Sequence, residues 1–95
     1  MPSYRVEMTV GLLAAGVAPE ELLPAAAGAA AETTTVEAKD VGVRAGQARI
    51  RVRYTAADDG EAHRIAAVVH EAAARLAEVG APGVTLRRGG RWIAV

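Results

Sequence analysis

The most regular pattern in the chain is QARIRVRYT, residues 47–55, in which apolar and polar side chains alternate without interruption. A period of two residues is typical of a β-strand with one buried face and one exposed face. We therefore predict a strand over 47–55 that turns its arginines away from the core. The Ala-Gly pair at 45–46 predicts a turn just before it, and the β-branched stretch 33–39 predicts its hairpin partner.

Residues 4–10 repeat this alternation and predict the first strand of the same sheet. In the second strand, the apolar phase slips between Ala38 and Val41. A slip of one position is what a β-bulge produces, so we predict a bulge near Asp40.

The C-terminal residues predict a second hairpin. If Gly89-Gly90 forms a two-residue turn, Leu86 pairs with Ile93, and both side chains fall on one face of the sheet. Trp92 then falls on the other face. Turn chemistry and apolar pattern therefore agree on two strands rather than one long strand.

The first helix is predicted from residues 19–21, where a proline is followed by two glutamates. Proline is favoured at the first helical position, and acidic side chains suit the positive end of the helix dipole. The helix is expected to run to about Ala31. Pro24 lacks a backbone donor, so we predict that it kinks the helix or breaks it into two pieces.

The second helix is predicted to begin at Asp58 or Asp59, either of which can cap its N-terminus. At about 100° per residue, the apolar side chains of 65–79 fall on one stripe that can pack on a sheet. We expect Gly80 to end this helix.

The order β-α-β-β-α-β-β resembles the split βαβ arrangement of ferredoxin-like domains, extended by a C-terminal hairpin. The resemblance implies one α+β domain over residues 1–95, an α/β sandwich. Its sheet would be antiparallel, with two helices on one face and the last strand added at the edge.

Composition limits the classes of function. The 95 residues are 52% hydrophobic, and 11 basic residues balance 11 acidic ones, so no overall field attracts nucleic acid or membranes. Cysteine is absent, which excludes disulfides and thiolate chemistry. No signal peptide or long apolar span is visible, so we expect a cytoplasmic protein. Lys39 is the single lysine, a usage typical of GC-rich bacterial genomes.

Side-chain parity predicts a polar sheet face opposite the helices. The residues expected there are Arg5, Glu7, Thr9, Glu37, Lys39, Arg49, Arg51, Arg53, Thr85, Arg87 and Trp92. Arginines at every second position repel one another unless acids or an anion lie between them. This face is therefore either a solvated, ion-paired surface, a protein-partner face anchored by Trp92, or an anion or nucleic-acid site. Its anion-binding candidates are Arg49, Arg51, Arg53 and Arg87.

A second candidate surface lies on the flank of the second helix. Small side chains there would let another backbone approach closely, either the first helix or a partner subunit. The candidate partner-binding residues on this flank and on the last hairpin are Ala66, His70, Ala73, Ala77, Trp92 and Ile93.

The two histidines are the only candidates for acid–base or metal chemistry. His63 and His70 are seven residues apart, about 10 Å along a helix, which does not suit two ligands of one metal ion. We expect solvated or interface histidines, no metal and no cofactor. A small oligomeric enzyme that uses His63 or His70 with groups from another chain remains an alternative.

These patterns favour binding over catalysis. The leading hypothesis is a non-enzymatic module that forms a homodimer or binds a protein partner, because outer strands of a sheet offer free backbone groups. The alternatives are anion or nucleic-acid binding by the arginines and the histidine enzyme.

Overall fold

The computed structural model describes residues 1–95 and contains six β-strands and two α-helices. The strands are β1 (Ser3–Leu13), β2 (Val36–Arg44), β3 (Gln47–Thr55), β4 (Ala77–Val79), β5 (Gly83–Arg88) and β6 (Arg91–Ala94). The helices are α1 (Leu22–Ala31), which follows a 3-10 turn over Pro19–Glu21, and α2 (Asp59–Ala74).

All strand pairs are antiparallel, and the main path across the sheet runs β2-β3-β1-β5-β6. The short β4 pairs with the far end of β1 and lies off this path. Both helices pack against each other and against one face of the sheet, which leaves the opposite face open. The predicted α+β class with an antiparallel sheet is confirmed.

The centre of the sheet follows the alternation seen in the sequence. The register places Val6 opposite Val52 and Met8 opposite Ile50, and all four side chains are buried under the helices. Because side chains alternate along a strand, the β3 arginines lie on the open face. The predicted strand over 47–55 is confirmed with both of its ends.

Both predicted hairpins are present. Ala45 and Gly46 form the first turn with φ angles of 54° and 75°, in the left-handed region that two-residue hairpins of this type require. At the second turn, Leu86 lies opposite Ile93 as predicted. The chain therefore reverses its direction at Gly89-Gly90.

The start of α2 is as predicted, but its end is not. The Asp58 carboxylate accepts a hydrogen bond of 2.8 Å from the backbone N–H of Glu61 and caps the helix. The helix was expected to reach Val79, but it ends at Ala74 and the chain enters β4. Because β1 extends to Leu13, its last residues need backbone partners, and β4 supplies them.

The region around α1 corrects the expected role of Pro24. The break comes earlier, where the 3-10 turn passes into the α-helix, and the Glu21 carboxylate accepts a bond of 2.6 Å from the Ala18 N–H. Pro24 is the third residue of α1. A first-turn N–H has no partner within the helix, so the missing donor costs no hydrogen bond there.

β2 begins at Val36 rather than in the threonine run, and its register shifts between Val36 and Ala38. The bulge is therefore at Glu37, not near Asp40. This shift places Lys39 opposite Val52, on the same side as the helices, so its predicted position on the open face is wrong.

The core contains 18 buried residues, none with a charged side chain, so the sheet and helices are joined by apolar contact. The two buried tyrosines keep their hydroxyls bonded: Tyr4 to Asp59 at 2.7 Å and Tyr54 to the Ala62 carbonyl at 2.7 Å. Neither helix is long and apolar enough to cross a bilayer.

Candidate functional site

The open face carries a row of arginines whose charges are largely compensated by acids from neighbouring strands. The Glu7 carboxylate lies between Arg49 at 3.6 Å and Arg51 at 3.7 Å. Arg51 also forms a pair of 2.7 Å with Asp40. The expected repulsion along β3 is thus relieved by acids of the same chain.

Glu37, at the bulge of β2, compensates the third arginine of β3. Its carboxylate accepts a hydrogen bond of 2.6 Å from the Ser3 hydroxyl and one of 3.0 Å from Arg53. The Ser3 hydrogen bond is the largest cause that lowers the pKa of Glu37 below its ordinary value; burial opposes it, and the hydrogen bond and charge of Arg53 lower the pKa further.

Trp92 lies on the outer strand β6, but its ring extends inward over the open face. The guanidinium carbons of Arg5, Arg53 and Arg87 lie 4.6, 5.5 and 5.6 Å from the ring centroid. Positive groups this close to an indole face are attracted by the electron density of its ring. Arg5 and Arg87 form no ion pair with a carboxylate, unlike Arg53.

We define the tryptophan hollow as a depression of about 180 Å³ on this face. It is lined by Arg5, Ala38, Asp40, Arg51, Arg53, Arg87 and Trp92. Four guanidinium groups and one carboxylate line it. Two of the arginines also pair with acids just outside it, Arg51 with Glu7 and Arg53 with Glu37, so the positive charge without a carboxylate partner comes from the other two.

A wider depression of about 420 Å³ lies beside the start of β5. Arg5 and Arg49 line it, and the Nε atom of each is buried without a hydrogen-bond partner. His63 reaches its rim, with Nε2 at 3.1 Å from the Val95 carbonyl oxygen.

The anion-binding residues predicted from sequence are only partly brought together. Arg51, Arg53 and Arg87 line the tryptophan hollow, whereas Arg49 lies farther along β3 and pairs with Glu7. Arg5, which the sequence did not single out as a ligand, takes part instead. Its parity had placed it on the right face, but its proximity to Trp92 depends on how β5 and β6 lie beside β1.

Three of the four residues predicted as partner contacts beside the second helix are buried. Ala66, Ala73 and Ala77 are buried in the core, and His70 is half-buried. Their small side chains serve packing within the chain, which was the intramolecular alternative. Ala77 is not part of the helix but lies in β4.

The histidines show no grouping typical of a catalytic or metal site. No three His, Cys, Asp or Glu side chains come together in a way that could hold a metal ion. Neither His63 nor His70 is hydrogen-bonded to a carboxylate that could orient its ring.

The two outer strands of the sheet differ in length and exposure. β2 has nine residues, and on it Val41 is 57% exposed and Val43 is 72% exposed. β6 has four residues and bears Ile93, 39% exposed, beside the half-buried Trp92. The exposed valines were not predicted, because the pattern predicts which side of a strand they occupy but not how far a helix extends over it.

Comparison with protein-family models, with curated proteins and with solved structures finds no match to this chain.

Proposed function

We propose that this protein is a ferredoxin-like binding module that works by associating with a second copy of itself, through the free edge of β2. The strand order supports the ferredoxin-like assignment, since β1 lies between β3 and β5 as the split βαβ arrangement requires. The proposal concerns assembly, and catalysis has no supporting group of side chains.

One observation carries the proposal: Val41 and Val43 are exposed on a long outer strand whose other edge pairs with β3. An outer strand presents free N–H and C=O groups, and proteins that stay monomeric usually protect such edges with charges, proline or a short strand. Lys39, Asp40 and Arg44 lie on either side of these valines, but between those charges the free backbone lies beside apolar side chains. That combination favours the addition of another strand.

The predicted anchors Trp92 and Ile93 lie at the opposite edge of the sheet. β6 is shorter, and the ring of Trp92 is in contact with arginines of its own chain. Partner binding by these residues therefore has weaker support than binding by β2.

The test is the mass of the protein in solution, measured by sedimentation across micromolar concentrations. The chain of 9.8 kDa should show a mass near twice that value. Val43→Glu should return it to the monomer, because a charged side chain would then lie beside apolar side chains of the joined strand. Val68→Glu is the matched control, since Val68 is an exposed valine on α2, and this variant should remain dimeric.

A monomer at all concentrations would contradict self-association. Loss of the dimer in Val68→Glu but not in Val43→Glu would show that α2 rather than the β2 edge forms the contact.

A second candidate is the binding of small anions in the tryptophan hollow. It is favoured by Arg5 and Arg87, which lie against Trp92 without a carboxylate partner. Nucleic acid is less favoured, since modules of this shape stack several bases on aromatic side chains and this face offers only one.

The fluorescence of Trp92, the single tryptophan, reports on this hollow directly. Titration with inorganic pyrophosphate should change its emission, with an affinity that falls as salt rises. Arg87→Gln should weaken the response, whereas Arg64→Gln on α2 should not. No response in the unmodified protein at low salt would exclude the hollow as an anion site.

A further inference from the structure

The backbone of β2 determines how a second strand can pair with it. In a two-residue hairpin the residues beside the turn form a hydrogen-bonded pair, here Arg44 and Gln47. Every second residue back along β2 then also directs its backbone groups toward β3. The backbone groups of Val41 and Val43 therefore point outward, at the free edge.

We propose that two copies pair their β2 strands antiparallel about a twofold axis at Gly42, which makes one continuous sheet. This arrangement depends on the self-association proposed above and specifies its register. Val41 lies opposite the partner's Val43, and Asp40 lies opposite the partner's Arg44. By symmetry each contact occurs twice.

In this register the two strands are complementary in hydrogen bonding, in apolar contact and in charge. The two valine pairs use the outward backbone groups, so each pair exchanges two ladder hydrogen bonds. Asp40 and the partner's Arg44 lie on the open face, where directly opposed side chains are close enough for an ion pair. Arg44 is exposed and forms no ion pair within its own chain. Asp40 is also exposed; its Oδ1 is paired with Arg51 at 2.7 Å, which leaves its second carboxylate oxygen for the partner's Arg44.

Neighbouring registers lose these contacts. Centring the axis on Asp40 places that carboxylate opposite its own copy. Centring it on Val41 places Lys39 opposite the partner's Val43 and leaves Asp40 opposite glycine. Centring it on Val43 places Val41 opposite the partner's Ala45 and leaves Asp40 opposite the glycine of the turn. Antiparallel strands related by a twofold axis keep the same face outward, so the axis moves one residue at a time, and Val41 and Val43 are the adjacent choices.

Gly42 suits the centre of such a pair. The two Gly42 residues would form a pair without ladder hydrogen bonds, whose Cα atoms are about 4.5 Å apart. A Cβ added at Gly42 would lie 2.9 Å from the Nη2 atom of Arg51, the flexible end of that side chain, which can move aside.

Single cysteines test the register directly, because the natural chain contains none. Gly42→Cys should form a disulfide-linked dimer under mild oxidation, since about 4.4–6.8 Å between Cα atoms permits the bond. Val41→Cys and Val43→Cys are the controls. Each would lie about two residues from its own copy, beyond this range, and should crosslink at least about tenfold more slowly.

The crosslinking outcomes separate failure of the register from failure of the proposed function. Preferential crosslinking of Val41→Cys or Val43→Cys would overturn the register and identify a shifted one. Absence of crosslinking in all three variants, with a dimeric mass for the unmodified chain, would place the contact elsewhere. A monomeric unmodified chain would overturn the register together with self-association.

Charge reversal provides a second, independent test. Asp40→Arg and Arg44→Asp should each raise the dimer dissociation constant by at least about tenfold, because like charges then face each other twice. An equimolar mixture of the two variants should recover dimers, since the arginine introduced in one chain would face the aspartate introduced in the other. Recovery confined to the mixture supports the register, and its absence in two folded variants would overturn it.

Discussion

Ile50 and Arg51 are neighbours on β3, yet their surroundings differ completely. Ile50 is 2% exposed among apolar side chains of the core, whereas Arg51 lies on the open face between Glu7 and Asp40. The same alternation holds along β1, where Val6 is buried and Arg5 lies against Trp92. The same alternating pattern thus forms one face that is buried and apolar and one face that is polar and charged.

The difference shows which face stabilises the fold. Burial removes apolar area from water and contributes to stability in proportion to that area. The ion pairs of the open face are partly solvated, so each contributes little, but together they let β3 carry three closely spaced positive charges. We infer that the helix-covered face determines stability and that the open face is free to vary with function.

The largest expected effect comes from truncating a side chain of the covered face. Ile50→Ala should lower the free energy of unfolding by about 2–5 kcal/mol, because it removes buried methyl groups and leaves a cavity. Arg51→Ala, one position away, should cost no more than about 1 kcal/mol. Chemical denaturation of both variants measures the two losses in the free energy of unfolding. Similar losses would mean that the open face contributes as much as the core.

High pH should also act through the covered face. Burial raises the pKa of Tyr4 from its ordinary value of 10.0 to about 12, assisted by its bond to Asp59, and burial raises the pKa of Tyr54 as well. A group whose pKa is raised by folding stabilises the folded state at pH values below its ordinary pKa. That stabilisation is lost as the pH rises through the pKa of the folded state. Stability should therefore fall between pH 10 and about 12.

Tyrosinate absorbance can follow that transition. Both tyrosines should ionise together with unfolding rather than before it. Tyr54→Phe should make the loss of stability at high pH shallower. Ionisation near the ordinary value in the folded protein would contradict the burial of these hydroxyls.

The smallest effect is expected from acid on the open face. The bonds from Ser3 and Arg53 lower the pKa of Glu37. The ionised carboxylate therefore stabilises the fold at pH values above the ordinary carboxylate pKa, and this stabilisation is lost as the pH falls through the pKa of the folded state. Glu37→Gln should cost at most about 1 kcal/mol at neutral pH. Thermal melts should show that the difference in stability between this variant and the unmodified protein disappears in acid. A difference that grows in acid would contradict the lowered pKa of Glu37.

The sequence predicted the parts of the fold that depend on local pattern. The alternation of 47–55, the two glycine-containing turns and the Asp58 cap each rest on residues close together in the chain. What it did not predict depends on distant partners. The end of α2 is set by the exposed backbone of β1, and the bulge at Glu37 is set by the pairing of β2 with β3.

The candidate sites show the same limit. Parity placed the arginines on the open face, but the ion pairs that neutralise most of them require the lateral order of the strands. Ala66 and Ala73 were candidates for a partner surface because a stripe of small residues does not show which helix covers it. The exposed valines of β2 depend on the reach of the helices, which no single strand reveals.

The alanines that line both helices have a consequence for how this chain can change. Between the helices and the sheet there is little side-chain depth, and the whole molecule is 19 Å thick in its shortest dimension. At Ala26, Ala30, Ala62 and Ala66, which are at most 1% exposed, a larger side chain would clash with its packed neighbours and push the helix away from them. Substitutions at these four positions should therefore be limited to glycine and serine, whereas residues of the open face can be replaced by many others.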